Sequence, residues 1–140
     1  MSRIFWDTNL FVYLFEDYKD LSKRTVALRR SMIERGDQLF TSTMTLGEIL
    51  VRPWQHGDHA TCRKYEDHLT RGSVVVPFDV KAARIYSTLR SDRTLKPPDA
   101  IQLSCAASVG VDLFITNDDR LERERVPGIQ FIVSLKRAPL

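Results

Sequence analysis

Four carboxylates in this chain stand where acids could gather at one edge of a fold. Asp7 comes straight after a short apolar run, in Ile4-Phe5-Trp6-Asp7-Thr8-Asn9, and Asp118 does the same in Phe114-Ile115-Thr116-Asn117-Asp118. Glu48 lies in Thr45-Leu46-Gly47-Glu48-Ile49-Leu50, and Asp99 follows Pro97-Pro98. Acids held in one cleft repel. At about 4 Å and an effective dielectric near about 20, each pair costs about 4 kcal/mol. A chain that folds with such a cluster must protonate some members or bind a cation. Oxygen-only ligands suit Mg²⁺ or Mn²⁺, which keep waters for substrate phosphates. A cation so held lowers the pKa of a bound water, clamps a phosphate and stabilises a leaving oxygen.

Each acid also has an ordinary explanation. Asp at a helix start caps free N–H groups, worth about 0.5–2 kcal/mol, and an acid in a first turn complements the helix dipole. Asp7, Asp99 and Asp118 could all be caps. Glu48 resists that reading, because its neighbours Leu46, Ile49 and Leu50 are apolar. Gly47 beside it costs about 0.8–1 kcal/mol against Ala within a helix, which implies close approach of another backbone or of the site itself. Capping and metal binding are compatible, since helix N-termini and strand C-termini share one edge of a doubly wound sheet.

The elements that must position these acids follow from the apolar pattern. Strands are expected at Arg3–Trp6, Leu39–Thr41, Ser73–Val76, Leu113–Thr116 and Ile129–Val133. Helical patterns cover Leu10–Phe15, Leu21–Arg35 with a stop at Gly36-Asp37, and Met44–Val51 closed by Pro53. Others cover His59–Thr70 ended by Gly72, Val80–Arg90, and Pro97 to about Val109 with Gly110 after it. Strands alternating with helices predict an α/β fold, a parallel sheet flanked by helices on both faces. Such sheets bind ligands beyond the carboxyl ends of their strands, near a topological switch point.

The chain has 140 residues, room for one domain, assigned to residues 1–134 with a short C-terminal tail at 135–140. A hydrophobic content of 43% supports a real core. Cys62 and Cys105 have no framework spacing, which reads as a reducing, cytoplasmic environment. The N-terminal stretch meets Asp7 before any apolar signal region develops, and no stretch approaches a membrane span. A net charge of +3 permits nucleic-acid binding and equally describes an ordinary surface.

Over nearly the whole chain, from Arg3 to about Val133, the sequence resembles a PIN-domain ribonuclease of the kind that serves as toxin in VapBC toxin–antitoxin pairs. The segments carrying the resemblance are Ile4-Phe5-Trp6-Asp7-Thr8-Asn9, Thr43-Met44-Thr45-Leu46-Gly47-Glu48-Ile49, Lys96-Pro97-Pro98-Asp99-Ala100-Ile101-Gln102-Leu103 and Phe114-Ile115-Thr116-Asn117-Asp118. The resemblance implies a parallel sheet of about five strands. It implies Mg²⁺ or Mn²⁺ at Asp7, Glu48, Asp99 and Asp118, with Thr8, Asn9 and Thr116 orienting carboxylates or waters. It also implies endonucleolytic cleavage of RNA, a homodimer, and an antitoxin that blocks the cleft. Asp119 adjoins Asp118, and either could reach the metal; Asp118 is chosen because it follows Thr116-Asn117 at the matching place.

Arg120, Arg123 and Arg125 could meet RNA phosphates or form a solvated face with Glu122 and Glu124; Arg120 leads, with Arg52 a weaker case. His56, His59, Cys62 and His68 match no standard zinc spacing. Phe11, Tyr13, Leu14 and Phe15, with Trp6 nearby, suit core packing better than a partner surface. Tyr86, Leu89 and Arg90 could contribute to a dimer face. Alternatives to the toxin reading are a stand-alone PIN nuclease in RNA processing and a non-catalytic RNA- or partner-binding module. A phosphatase or phospho-receiver is a third class. Asp7-Thr8-Asn9 lacks the second acid that an aspartyl phosphatase would carry.

Overall fold

In a computed structural model covering all 140 residues, the chain forms a five-stranded sheet in the order β3-β2-β1-β4-β5, parallel throughout. The strands are β1 (Arg3–Trp6), β2 (Gln38–Ser42), β3 (Val74–Val76), β4 (Val111–Thr116) and β5 (Ile129–Ser134). Six α-helices accompany them: α1 (Thr8–Phe15), α2 (Asp20–Arg35), α3 (Thr43–Gln55), α4 (His59–Gly72), α5 (Val80–Leu89) and α6 (Pro97–Val109). Chain order runs outward from β1 to β2 and β3, then returns to place β4 on the other side of β1. The topological switch therefore lies between the ends of β1 and β4, where Trp6 is in register with Ile115.

Side chains alternate across each strand, so one strand feeds two cores. Ile4 and Trp6 pack with Leu10, Phe11, Leu28, Met32, Ile49 and Leu69 beneath α1 to α4. Phe5 faces the opposite layer and stacks on Phe114, with centroids 5.1 Å apart, among Ala82, Leu103 and Ala106 of α5 and α6. Burial on both faces explains why β1 reads as a continuous apolar run, Ile-Phe-Trp. Trp6 and Phe11 are both in the core, as their apolar spacing suggested.

The expected elements are all present, with two local corrections. Pro53 does not close α3. His56 N–H still reaches the Arg52 carbonyl at 3.1 Å, so the helix runs past the proline to Gln55. Gly47 does not permit a close approach, because a Cβ there would meet nothing within 4 Å. It lies on the exposed side of α3, beside Glu48. Gly36, by contrast, does stop α2, in the left-handed conformation at φ 76°.

Residues after β5 contribute to the core. Leu135 and Ala138 are buried in the α1–α4 layer, and Arg24 of α2 donates to the Leu135 and Lys136 carbonyls at 2.8 and 2.6 Å. No helix is long and apolar enough to cross a membrane.

Candidate metal centre at the sheet switch point

The site is built from the end of β1 outward. Asp7 leaves β1 as its backbone N–H bonds to the Ile115 carbonyl of β4 at 3.0 Å. It serves as the N-cap of α1, its Oδ1 accepting from Thr8 N–H at 2.9 Å. Its Oδ2 accepts from the Thr116 hydroxyl at 2.8 Å, and that same hydroxyl oxygen accepts from Asp118 N–H at 3.0 Å. Thr116 thus joins the first and fourth acids across the switch.

Asp7 is only 8% exposed and has no cationic partner. Burial pushes its carboxyl up to about 6, against the pull of the Thr116 and Thr8 hydrogen bonds, and the negative fields of Asp99 and Glu48 add to the rise. Asp99 is half-buried in the first turn of α6 and accepts no capping bond. Burial and the neighbouring Asp118 raise its carboxyl, with Arg120 and Lys96 opposing. Asp118 moves the other way. Arg120 grips it from two residues on, Nε to Oδ1 at 3.0 Å and Nη2 to Oδ2 at 2.7 Å, and this hydrogen-bonded pairing holds its carboxyl below the ordinary value. Glu48 is exposed on α3, and its Oε1 accepts from the Thr8 hydroxyl at 2.5 Å.

The acids therefore face one another's fields without closing on one point. Nowhere in the chain do three His, Cys, Asp or Glu side chains lie close enough to grip one ion together. Asp118 is turned to Arg120 and Glu48 to Thr8. The donor set still fits a hard divalent cation. It is all oxygen, and its most buried member carries a desolvation cost that no cation of the protein relieves. Asp99, Asp118, Lys96, Arg120 and Arg123 line a cleft of about 510 Å³. Asp119 is exposed and lies outside that lining. The capping explanation holds for Asp7 and for Asp118, which accepts from Arg120 N–H at 3.1 Å, and fails for Asp99.

The remaining candidates separate. Asn9 Oδ1 accepts from Asn117 N–H at 3.3 Å, and Asn117 donates to the Tyr13 hydroxyl at 2.9 Å, tying α1 to the loop that carries Asp118. Arg52 is one turn beyond Glu48, 3.7 Å from Glu16, in a second groove of about 470 Å³. Arg125 is occupied with the Glu122 and Glu124 carbonyls. Of the histidines, His59 packs on Trp54 and His68 on Phe15, with centroids 5.1 and 6.2 Å apart.

Beneath the acids lies a buried polar layer that sequence reading passed over. Gln102, 2% exposed, points its Nε2 at Thr45 Oγ1 (2.7 Å), Thr8 Oγ1 (3.0 Å) and Asp7 Oδ1 (3.3 Å), while its Oε1 accepts from Ser42. Thr41 Oγ1 extends the layer, 2.8 Å from Thr45 Oγ1 and 3.0 Å from the Trp6 carbonyl. One signal was available. Gln102 follows Asp99 by a single helical turn and interrupts the small, apolar run of α6.

The comparisons with known proteins agree with this fold. Solved structures of similar fold include that of VapBC2 from Rickettsia felis bound to a DNA fragment from their promoter. Its matching chain has a TM-score of 0.71 and 16% identity, over 94% of this chain and 98% of that one. DNA-bound VapBC from Salmonella typhimurium gives a TM-score of 0.69 and 22% identity, over 96% and 99%. VapBC-5 from Mycobacterium tuberculosis gives 0.59 and 20%, over 96% and 99%. No curated protein sequence matches the chain. The family model described as the PIN domain matches residues 4–126, and with that match the chain belongs to the PIN-domain family.

Proposed function

We propose that this chain is a Mg²⁺- or Mn²⁺-dependent endoribonuclease and the toxin of a toxin–antitoxin pair. The observation that carries the proposal is Asp7, a buried carboxylate at the switch point with Asp99 and Glu48 in its field and no cation of the protein beside it. The similar solved structures are VapBC toxin–antitoxin complexes, which supports an antitoxin as partner. A homodimer and a cytoplasmic location belong to the same reading.

Asp7, Asp99, Asp118 and Glu48 would hold the cation. When bound, it supplies an activated water and neutralises charge on the scissile phosphate. The chain's own residues do the positioning. Thr116 and Thr8 fix the two oxygens of Asp7, and Thr8 also holds Glu48. Asp118 would hold the cation in place of its Arg120 partner, and Arg120 lines the cleft with Lys96 and Arg123, a set suited to RNA phosphates. Water activated by the cation, in place of the ribose 2′-hydroxyl, would attack phosphorus and the 3′-oxygen would leave. The expected products therefore carry 5′-phosphate and 3′-hydroxyl ends.

The test is cleavage of RNA by the purified chain. EDTA should abolish it, Mn²⁺ should restore it, and Asp99→Asn should remove it. Undiminished cleavage in EDTA refutes the proposal.

A further inference from the structure

We infer that Gln102 is a positioning residue for the metal centre, fixing Asp7 directly and Glu48 through the Thr8 hydroxyl. The inference rests on the metal-dependent reading of the site.

Asp7 is acceptor-only when ionised, and Ser42 donates to the Gln102 carbonyl oxygen from the other side. A flipped amide would aim Oε1 at the Asp7 carboxylate and leave the Ser42 hydroxyl facing an NH₂ group. Ser42 is itself fixed, as the N-cap of α3, accepting from Thr45 N–H at 3.3 Å. The end of β2 therefore dictates which way Gln102 points.

In that orientation the NH₂ group faces Thr45, Thr8 and Asp7. It donates to Thr8 Oγ1 at 3.0 Å, which leaves the Thr8 proton free for Glu48 Oε1 at 2.5 Å. One buried amide thus sets the direction of the bond on the second acid and contacts the first at 3.3 Å. Asp7 follows β1, Glu48 comes from α3 and Gln102 from α6, so the amide joins α6 to both acids, beside the Thr41 bonds that link the end of β1 to α3. With 2% of its surface exposed, Gln102 cannot reach RNA. Its influence must pass through the acids, as outer-layer partners of metal ligands act.

The experiment compares the full-length chain with Gln102→Met, which keeps side-chain length and apolar bulk while removing both donors. Mn²⁺ binding is followed by calorimetry, and kcat and KM by RNA cleavage. The expected result is a 10–100-fold weaker Mn²⁺ affinity, on the order seen when such partners are removed, with a fall in kcat and a KM for RNA that stays within about twofold, since a side chain so buried makes no ligand contact. Ser42→Ala, which releases the far end of the amide and also removes the α3 N-cap, should weaken Mn²⁺ several-fold, and the Gln102→Met/Ser42→Ala double variant should fall short of the sum of the two single effects. If Gln102→Met fails to fold, Ser42→Ala decides on the same measurements. Unchanged Mn²⁺ affinity in the folded variant overturns the role of Gln102 while leaving the metal reading intact. A wild-type chain that binds no Mn²⁺ overturns both.

Discussion

Arg120 holds Asp118 in a two-pronged grip, with Nε and Nη2 each bonded to a different carboxylate oxygen at 3.0 and 2.7 Å. The pair is local in sequence and solvent-accessible on the arginine side, at 66% exposure. In the cleft it does what a cation would do for Asp118, and the two must compete for the carboxylate. Arg120→Gln is therefore expected to tighten Mn²⁺ binding several-fold. The same variant should bind RNA more weakly at every sequence, with the salt slope reduced by about 1, as for loss of one phosphate contact. Calorimetry and a filter-binding series at increasing KCl check both halves. Weaker Mn²⁺ binding in the variant would make Arg120 a support of the metal centre rather than its competitor.

Asp7 makes the metal-free chain sensitive to pH. Its carboxyl is raised from 3.8 to about 6, so between those values the folded chain keeps a proton that the unfolded chain has released. Stability is then fully present below the lower value and falls as pH rises through the upper one. The full shift corresponds to about 3 kcal/mol. Asp7→Asn removes this slope, whatever constant offset the amide introduces. Urea melts of both chains in EDTA from pH 4 to 8 should diverge in favour of the variant up to about pH 6 and run parallel above it; profiles parallel over the whole range would contradict the burial argument.

Thr116 is fully buried and serves two acids, donating to Asp7 and accepting from Asp118 N–H. Thr116→Val keeps the shape and strands both partners. The expected cost is about 1–3 kcal/mol of stability, together with a loss of RNA cleavage larger than the stability change explains. Chemical denaturation with single-turnover kinetics separates the two; wild-type turnover in a folded Val variant would remove Thr116 from the site.

The residues after β5 are anchored. Leu135 is completely buried, and truncating it opens a cavity in the α1–α4 core. Leu135→Ala should cost about 2–5 kcal/mol, seen as a lower thermal midpoint. A change below about 0.5 kcal/mol, the scale of an exposed surface site, would show that this segment contributes nothing to the core.

Much of this architecture was legible in the sequence because parallel strands buried on both faces leave unbroken apolar runs. The runs ending at Trp6 and Thr116 place Asp7 and Asp118 at one end of the sheet, and the strand order then puts them at the switch point. Boundaries were less legible. Pro53 was read as a stop, yet it lies in the last turn of α3, where one missing N–H is tolerated. Gly47 was read as a close approach, yet a glycine on an exposed helix face leaves the same mark in sequence as one in a tight contact. The Arg120–Asp118 grip depends on the 3₁₀ turn at Asp119–Arg123, since residues two apart do not face each other on an α-helix. The Gln102 layer was hidden because it joins Ser42, 60 residues away, to Asp7, 95 residues away. No local pattern reports a contact between β2, α6 and the end of β1.

The most direct test of the central claim is to incubate total RNA with the purified chain in Mn²⁺, then map every new terminus and determine its end chemistry, with Asp7→Asn as the control. Metal-dependent hydrolysis at this site predicts discrete cuts bearing 5′-phosphates, present in Mn²⁺, absent in EDTA and absent from the variant. Cuts that persist in EDTA, that carry 2′,3′-cyclic phosphates, or that survive Asp7→Asn would contradict it.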